Sequence, residues 1–211
     1  NALHLEERIR ARAEGCPAEP NVSLEEVVRG RVASLGDEAK RTLALASVFG
    51  QRFWFRGLGH LLRGQVEGWR IGACLDELTR RELIIPSARS RFAHEAEFAF
   101  RHGVIEAEAY ALLSPADRDL AHRLAGEWLE RTGERDAAVL AAHFARSEAR
   151  AQAAAWDERS AVEALGRNDI DAAIAFAERG LSASPSNEVA LSLHGVLAES
   201  HGWRADYVRT S

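Results

Sequence analysis

Apolar and polar positions follow a helical period over most of the chain and a strand period over a short stretch near its middle. Ser23 followed by Glu26 is a capping box, and Leu24, Val28, Val32 and Leu35 form one stripe, so a helix is expected over residues 24–35. Asp37 opens a second helix over residues 38–48, which Gly50 ends. Before these, residues 3–14 read as a helix with Leu3, Ile9 and Ala13 roughly along one face. Gly15, Cys16, Pro17 and the residues up to Asn21 then break it. Phe53, Trp54 and Phe55 read as an aromatic cluster packed between helices. A short helix over 56–63 stops at Gly64, and another over 67–81 places Ile71, Leu75 and Leu78 on one face. Residues 83–86, 91–93 and 97–101 read as short strands around a polar turn at 87–90; Phe98 and Phe100 alternate there with Ala99 and Arg101. Three helices followed by a small β wing make a winged helix.

From Ser114 onward the pattern is helical throughout. Ser114, Pro115 and Asp117 supply an N-cap, a proline in the first turn and a carboxylate at the third position. Leu120, Leu124 and Trp128 share a face, and Gly133 ends that helix. Ala137, Leu140 and Phe144 mark the next, and Trp156, Val162 and Leu165 another. Small residues at Ala161, Ala173, Ala177 and Gly180 allow residues 156–167 and 170–182 to pack closely as a pair. Residues 188–201, with Val189, Leu193 and Val196, follow as a single helix. The fold expected is mainly α: residues 22–113 a winged-helix domain and 114–211 a segment of helical repeats.

Composition narrows the chemistry. Over 211 residues, 46% hydrophobic and 28% charged content describes an ordinary globular protein of one large or two small domains. No apolar run reaches the ~18 residues of a membrane span, and no signal-peptide pattern opens the sequence. Cys16 and Cys74 share no metal-ligand or redox spacing, which suits a reducing cytoplasmic setting. A net charge of -5 gives nucleic acid no global attraction. Lys40 is the only lysine, and it has neither the glycine-rich turn before it nor the flanks of a phosphate loop. The chain is therefore expected not to hydrolyse ATP and not to be an enzyme. His94-Glu95 lacks the second histidine of a zinc-protease helix, so no metal site is expected. Glu6-Glu7 and Asp157-Glu158 fall on faces expected to be solvated.

His102 stands where the strand pattern gives way to a helix, a place where free backbone N–H groups favour anions. On spacing alone, a lone histidine there reads as structural. The run Phe98-x-Phe100-Arg101-His102-x-Val104-Ile105 with Tyr110, followed by Arg118, His122, Ala125 and Leu129, resembles the region after the ATPase core in bacterial STAND-type signalling ATPases. That region joins a winged helix to a tetratricopeptide-like arm, and it occurs in large regulators, some fused to a serine/threonine kinase. Residues 170–182 with Pro185 resemble the second helix of a tetratricopeptide unit, whose period is about 34 residues. Leu5-Glu6-Glu7 is similar to the end of the family's nucleotide-binding core, so residues 1–21 read as the end of that core or as a linker helix. Asn1-Ala2 is either native or a cloning remnant.

The resemblance implies that His102 contacts the β-phosphate of ADP in the full-length parent, with ATP or ADP as the parent's cofactor and none in this chain. Gly103 stands where the family carries Asp. A regulatory fragment follows: a winged-helix lever and a sensor arm that couple a protein or small-molecule inducer to the nucleotide-binding domain. One alternative is a DNA-binding regulator reading the groove through residues 67–81. There Arg70, Arg80 and Arg81 are offset by Glu67, Asp76 and Glu77, so nucleic acid is not the expected partner. A free-standing repeat adaptor is the other.

Overall fold

The computed structural model describes residues 2–15, 23–64 and 66–210, the last six of these as helical backbone. The break expected at 15–21 lies, from Cys16 on, outside the described residues. The chain divides into two compact units, Asn1–Ala121 and His122–Ser211.

In the first unit, α1 (Ala2–Ala13) precedes α2 (Leu24–Ala33) and α3 (Asp37–Ala46). The capping box of α2 is formed, with Glu26 N–H donating to Ser23 Oγ at 3.2 Å and Ser23 N–H to Glu26 Oε2 at 2.9 Å. A single 3-10 turn (Ser47–Phe49) leads into β1 (Arg52–Trp54), then α4 (Phe55–Leu61), α5 (Gly68–Arg80), β2 (Ile84–Pro86), β3 (Glu97–Phe100) and α6 (Gly103–Ala111). The three strands form one antiparallel sheet in the order β1-β3-β2, with Phe53 opposite Phe98 and Ile84 opposite Phe100.

The expectation of a mainly helical chain with a small β element around residues 83–101 therefore holds, with two changes. Arg52–Trp54 is a strand, not part of an interhelical aromatic cluster, because its backbone completes the ladder along β3. Residues 91–93 are not a strand. Phe92 is instead buried from a turn, with its ring 4.8 Å from that of Trp54. Phe53 is fully buried between Phe98 and Phe100, at centroid distances of 5.7 and 5.5 Å, over a core that includes Val28, Leu43, Leu58, Leu78, Leu83 and Ile105.

α7 (Pro115–Thr132) contains the division between the units. The second unit continues with α8 (Ala137–Ala145), α9 (Arg150–Gly166), α10 (Ile170–Ser182) and α11 (Asn187–Thr210). Gly133 at φ 93° lets the Glu134 N–H reach the Leu129 carbonyl at 2.9 Å, which closes α7 as a Schellman turn. Asn168 at φ 59° does the same for α9. Ala161, Ala164, Ala173, Ala177, Leu193 and Val196 form a buried seam between α9, α10 and α11. No helix among the described residues is long and apolar enough to cross a membrane.

Candidate functional site at the sheet-to-helix junction

His102 is the N-cap residue of α6, in extended conformation (φ -144°, ψ 145°), and its side chain makes no capping hydrogen bond. The imidazole is a quarter exposed. Its Nε2 is shielded from solvent, has no hydrogen-bond partner, and lies 3.7 Å from Oε1 of Glu7 on α1. The residue singled out in the sequence thus faces a carboxylate on the first helix.

Glu7 is fully buried, which corrects the solvated position expected for it; its neighbour Glu6 is exposed. Its counter-ion is Arg31 of α2, also fully buried, whose Nη1 donates to Glu7 Oε2. Arg31 further donates from Nε and Nη2 to Glu14 at 3.1 and 2.7 Å, and to the carbonyl of Arg81 at the end of α5. Arg10 joins Glu7 and Glu6, each at 3.3 Å, and Glu82, which Arg101 also approaches at 3.5 Å. Four carboxylates (Glu6, Glu7, Glu14 and Glu82) and three arginines (Arg10, Arg31 and Arg101) therefore form one network, drawn from α1 and its end, α2, and the ends of α5 and β3, and it meets His102 at Glu7.

Burial alone would lower the Arg31 pKa. The hydrogen bonds that Arg31 donates to Glu14 and the fields of Glu7 and Glu14 outweigh that and hold it above its ordinary value. Glu82 is pulled down, first by its hydrogen bond to Arg10. This cluster fastens α1 in place of an apolar face. Only Glu7 and Ala11 of α1 are buried, while Leu5 and Ile9 are about 60% exposed, contrary to the stripe expected through Ile9 and Ala13. A signal for the cluster existed in the sequence: Arg31 sits between Val27 and Leu35 at helical spacing, on the stripe that packs inward.

A second carboxylate, Glu97, is buried at the start of β3 and accepts four hydrogen bonds. The donors are the Arg91 N–H (2.7 Å), Arg52 Nη1 (2.7 Å), Trp54 Nε1 (3.2 Å) and the Ser87 hydroxyl (3.2 Å). Burial works against ionisation there, but these donors overcome it and hold the carboxyl below its usual range. The carboxylate ties the turn at 87–91 to the sheet that leads into His102.

Gly103 is not required by its backbone. A Cβ there would meet only Gln51 Nε2, at an ordinary 3.5 Å. On α5 Arg70 pairs with Glu38, and at its C-cap Arg81 pairs with Glu77 at 3.0 Å, so two of the three arginines that could serve phosphate contacts are already engaged.

In the second unit, Asp157 is fully buried and paired with Arg179, again a correction of the solvated face expected for Asp157-Glu158. Val162, expected on the inner stripe of α9, is half exposed; Ala153, Ser160, Ala161 and Ala164 take the buried positions. His122 and His143 are buried with their Nδ1 atoms 3.2 Å apart. Among the described residues no three His, Cys, Asp or Glu side chains converge as metal ligands. No family model, curated protein or solved structure matches the chain.

Proposed function

We propose that the chain is the regulatory part of a larger signalling ATPase of the STAND type, a winged-helix lever followed by a tetratricopeptide-like arm. The order α3, β1, α4, α5, β2, β3, with β3 between the other strands, supports the winged-helix reading. The α9–α10 pair with α11 against both supports the repeat reading. The lever couples to the nucleotide-binding domain of the parent, and the arm receives a protein or small-molecule inducer.

One observation carries the nucleotide role of His102: a shielded Nε2 without a hydrogen-bond partner at the N-terminus of α6. Such an atom can donate to a phosphate oxygen, and Arg10, Arg31 and Arg101 lie in the same cluster. The Glu7 carboxylate stands beside it, so the ADP contact and the present seating of α1 compete for one donor.

The test uses the full-length protein. His102→Ala should weaken ADP by about tenfold to over a hundredfold, the loss of one charge-assisted hydrogen bond worth roughly 1.5–3 kcal/mol. An unchanged ADP affinity with a lowered melting temperature would assign His102 a structural role only.

A further inference from the structure

Away from the His102 cluster, the second unit carries a cavity of about 290 Å³ where the end of α8, the first half of α9 and the end of α10 converge. We infer that this cavity binds a short apolar monocarboxylate, held by Arg179 and Arg150.

The Arg179 guanidinium is fixed in advance. Its Nε and Nη2 hold the buried Asp157 carboxylate, and its face lies over the Phe176 ring at 5.0 Å. Those two nitrogens form the side-on edge of the fork. The end-on edge, with Nη1, is left for a second planar acceptor, which a carboxylate matches with two parallel hydrogen bonds. Because the side chain is already ordered, a ligand loses little rotamer entropy on binding it.

Charge selects a monoanion. Asp157 neutralises Arg179, and Arg150, which is exposed and makes no ion pair among the described residues, leaves one surplus positive charge at the cavity. A dianion would meet the Asp157 carboxylate uncompensated. The remaining wall is formed by Ala145, Ser147, Ser182 and Ala183 over the buried Phe144 and Ala153, which leaves room for a small aliphatic body beside the two hydroxyls. The volume lies at the small end of ligand cavities, so the occupant is of amino-acid size. It is either a free acid or the C-terminal residue of a peptide.

The experiment is an NMR titration of the whole chain with isovalerate, with N-acetylleucine as a mimic of a peptide C-terminus, and with N-acetylleucinamide as the neutral control. Binding in the millimolar range by one or both acids, with shifts centred on Ser147, Arg150, Arg179 and Ser182, is expected. The amide should leave these resonances unmoved. Preference for N-acetylleucine assigns the site to a peptide end, and equal binding assigns it to a small acid. Arg150→Gln should weaken the acid about two- to fivefold, the effect of one exposed charge. Arg179→Lys, which keeps the charge beside Asp157 but removes the second edge of the fork, should weaken it by about tenfold or more. Equal binding of the amide, shifts centred elsewhere, or an unchanged affinity in Arg150→Gln would overturn the assignment.

Discussion

Gly180 of α10 lies so close to Asp157 of α9 that a Cβ at position 180 would stand 3.1 Å from the Asp157 Cβ and 2.9 Å from Cδ1 of Leu193. The missing side chain lets the Asp157–Arg179 pair and the alanine seam share one crossing.

Gly180→Ala should therefore destabilise the second unit despite the better helix propensity of alanine. Overpacking at a filled crossing costs about 1–3 kcal/mol, against roughly 1 kcal/mol gained from propensity. Urea unfolding followed on Trp128 or Trp156 fluorescence should show the loss; a stabilised variant would mean that the crossing can relax. Gly195, with nothing near its absent Cβ, is the control, and Gly195→Ala should be neutral or stabilising.

Arg31→Met should loosen α1. The substitution leaves Glu7 and Glu14 without their buried cation, a change that costs about 3–5 kcal/mol when a buried pair is broken from one side. Amide exchange should accelerate across residues 2–13 and 24–33. Adding Glu7→Gln and Glu14→Gln to Arg31→Met should restore much of the protection, because no unpaired charge then remains.

Glu97 sets an acid dependence for the sheet. Its carboxyl is held below the ordinary 4.5, so the unfolded chain takes up this proton at higher pH than the folded one. The stabilisation is fully present above the unfolded value and is lost as pH falls through the lower folded value. Glu97→Gln should be less stable at neutral pH by about 1–3 kcal/mol, since one carbonyl cannot satisfy four donors. Its stability should also change less than wild type as pH falls below about 4.5.

His143 has a larger acid dependence in the second unit. Burial, then the neighbouring His122 and Arg146, push its pKa down to about 3 from 6.5. Between those values the unfolded chain binds a proton that the folded chain refuses, so stability should fall as pH drops from 6.5 toward 3. The loss is on the order of 3–5 kcal/mol at its limit. His143→Gln, which keeps a polar partner for His122 but does not titrate, should flatten that slope in unfolding midpoints compared at about pH 7 and about pH 5.

The helices were legible in the sequence because period and punctuation agreed. Ser23 with Glu26 started α2, Gly133 stopped α7, and Asn168 separated α9 from α10. Strand β1 was not, because Phe53 and Trp54 are both buried and so show no alternation, and their partner β3 lies some 45 residues on. Phe92 misled for the opposite reason: a bulky apolar residue between Arg91 and the small, exposed Ala93 has the strand period, yet it serves as a plug under Trp54. At the candidate site His102 was legible, and Arg31 only through its place on the inward stripe of α2; the carboxylate that His102 faces was not. Glu7 and Arg31 are charged residues on helices, ordinarily a solvated surface, and each is buried only because the other is there.

The register that sets Phe53 against Phe98 has a consequence for the order of assembly. The first unit cannot complete its sheet until a long stretch of chain containing α4, α5 and β2 has been closed into a loop, a step opposed by chain entropy. The second unit needs no such closure, since α9, α10 and α11 each bury their seam against sequence neighbours. Topology of this kind separates folding rates by orders of magnitude. On refolding from denaturant, tryptophans 128 and 156 should therefore report a faster phase than Trp54.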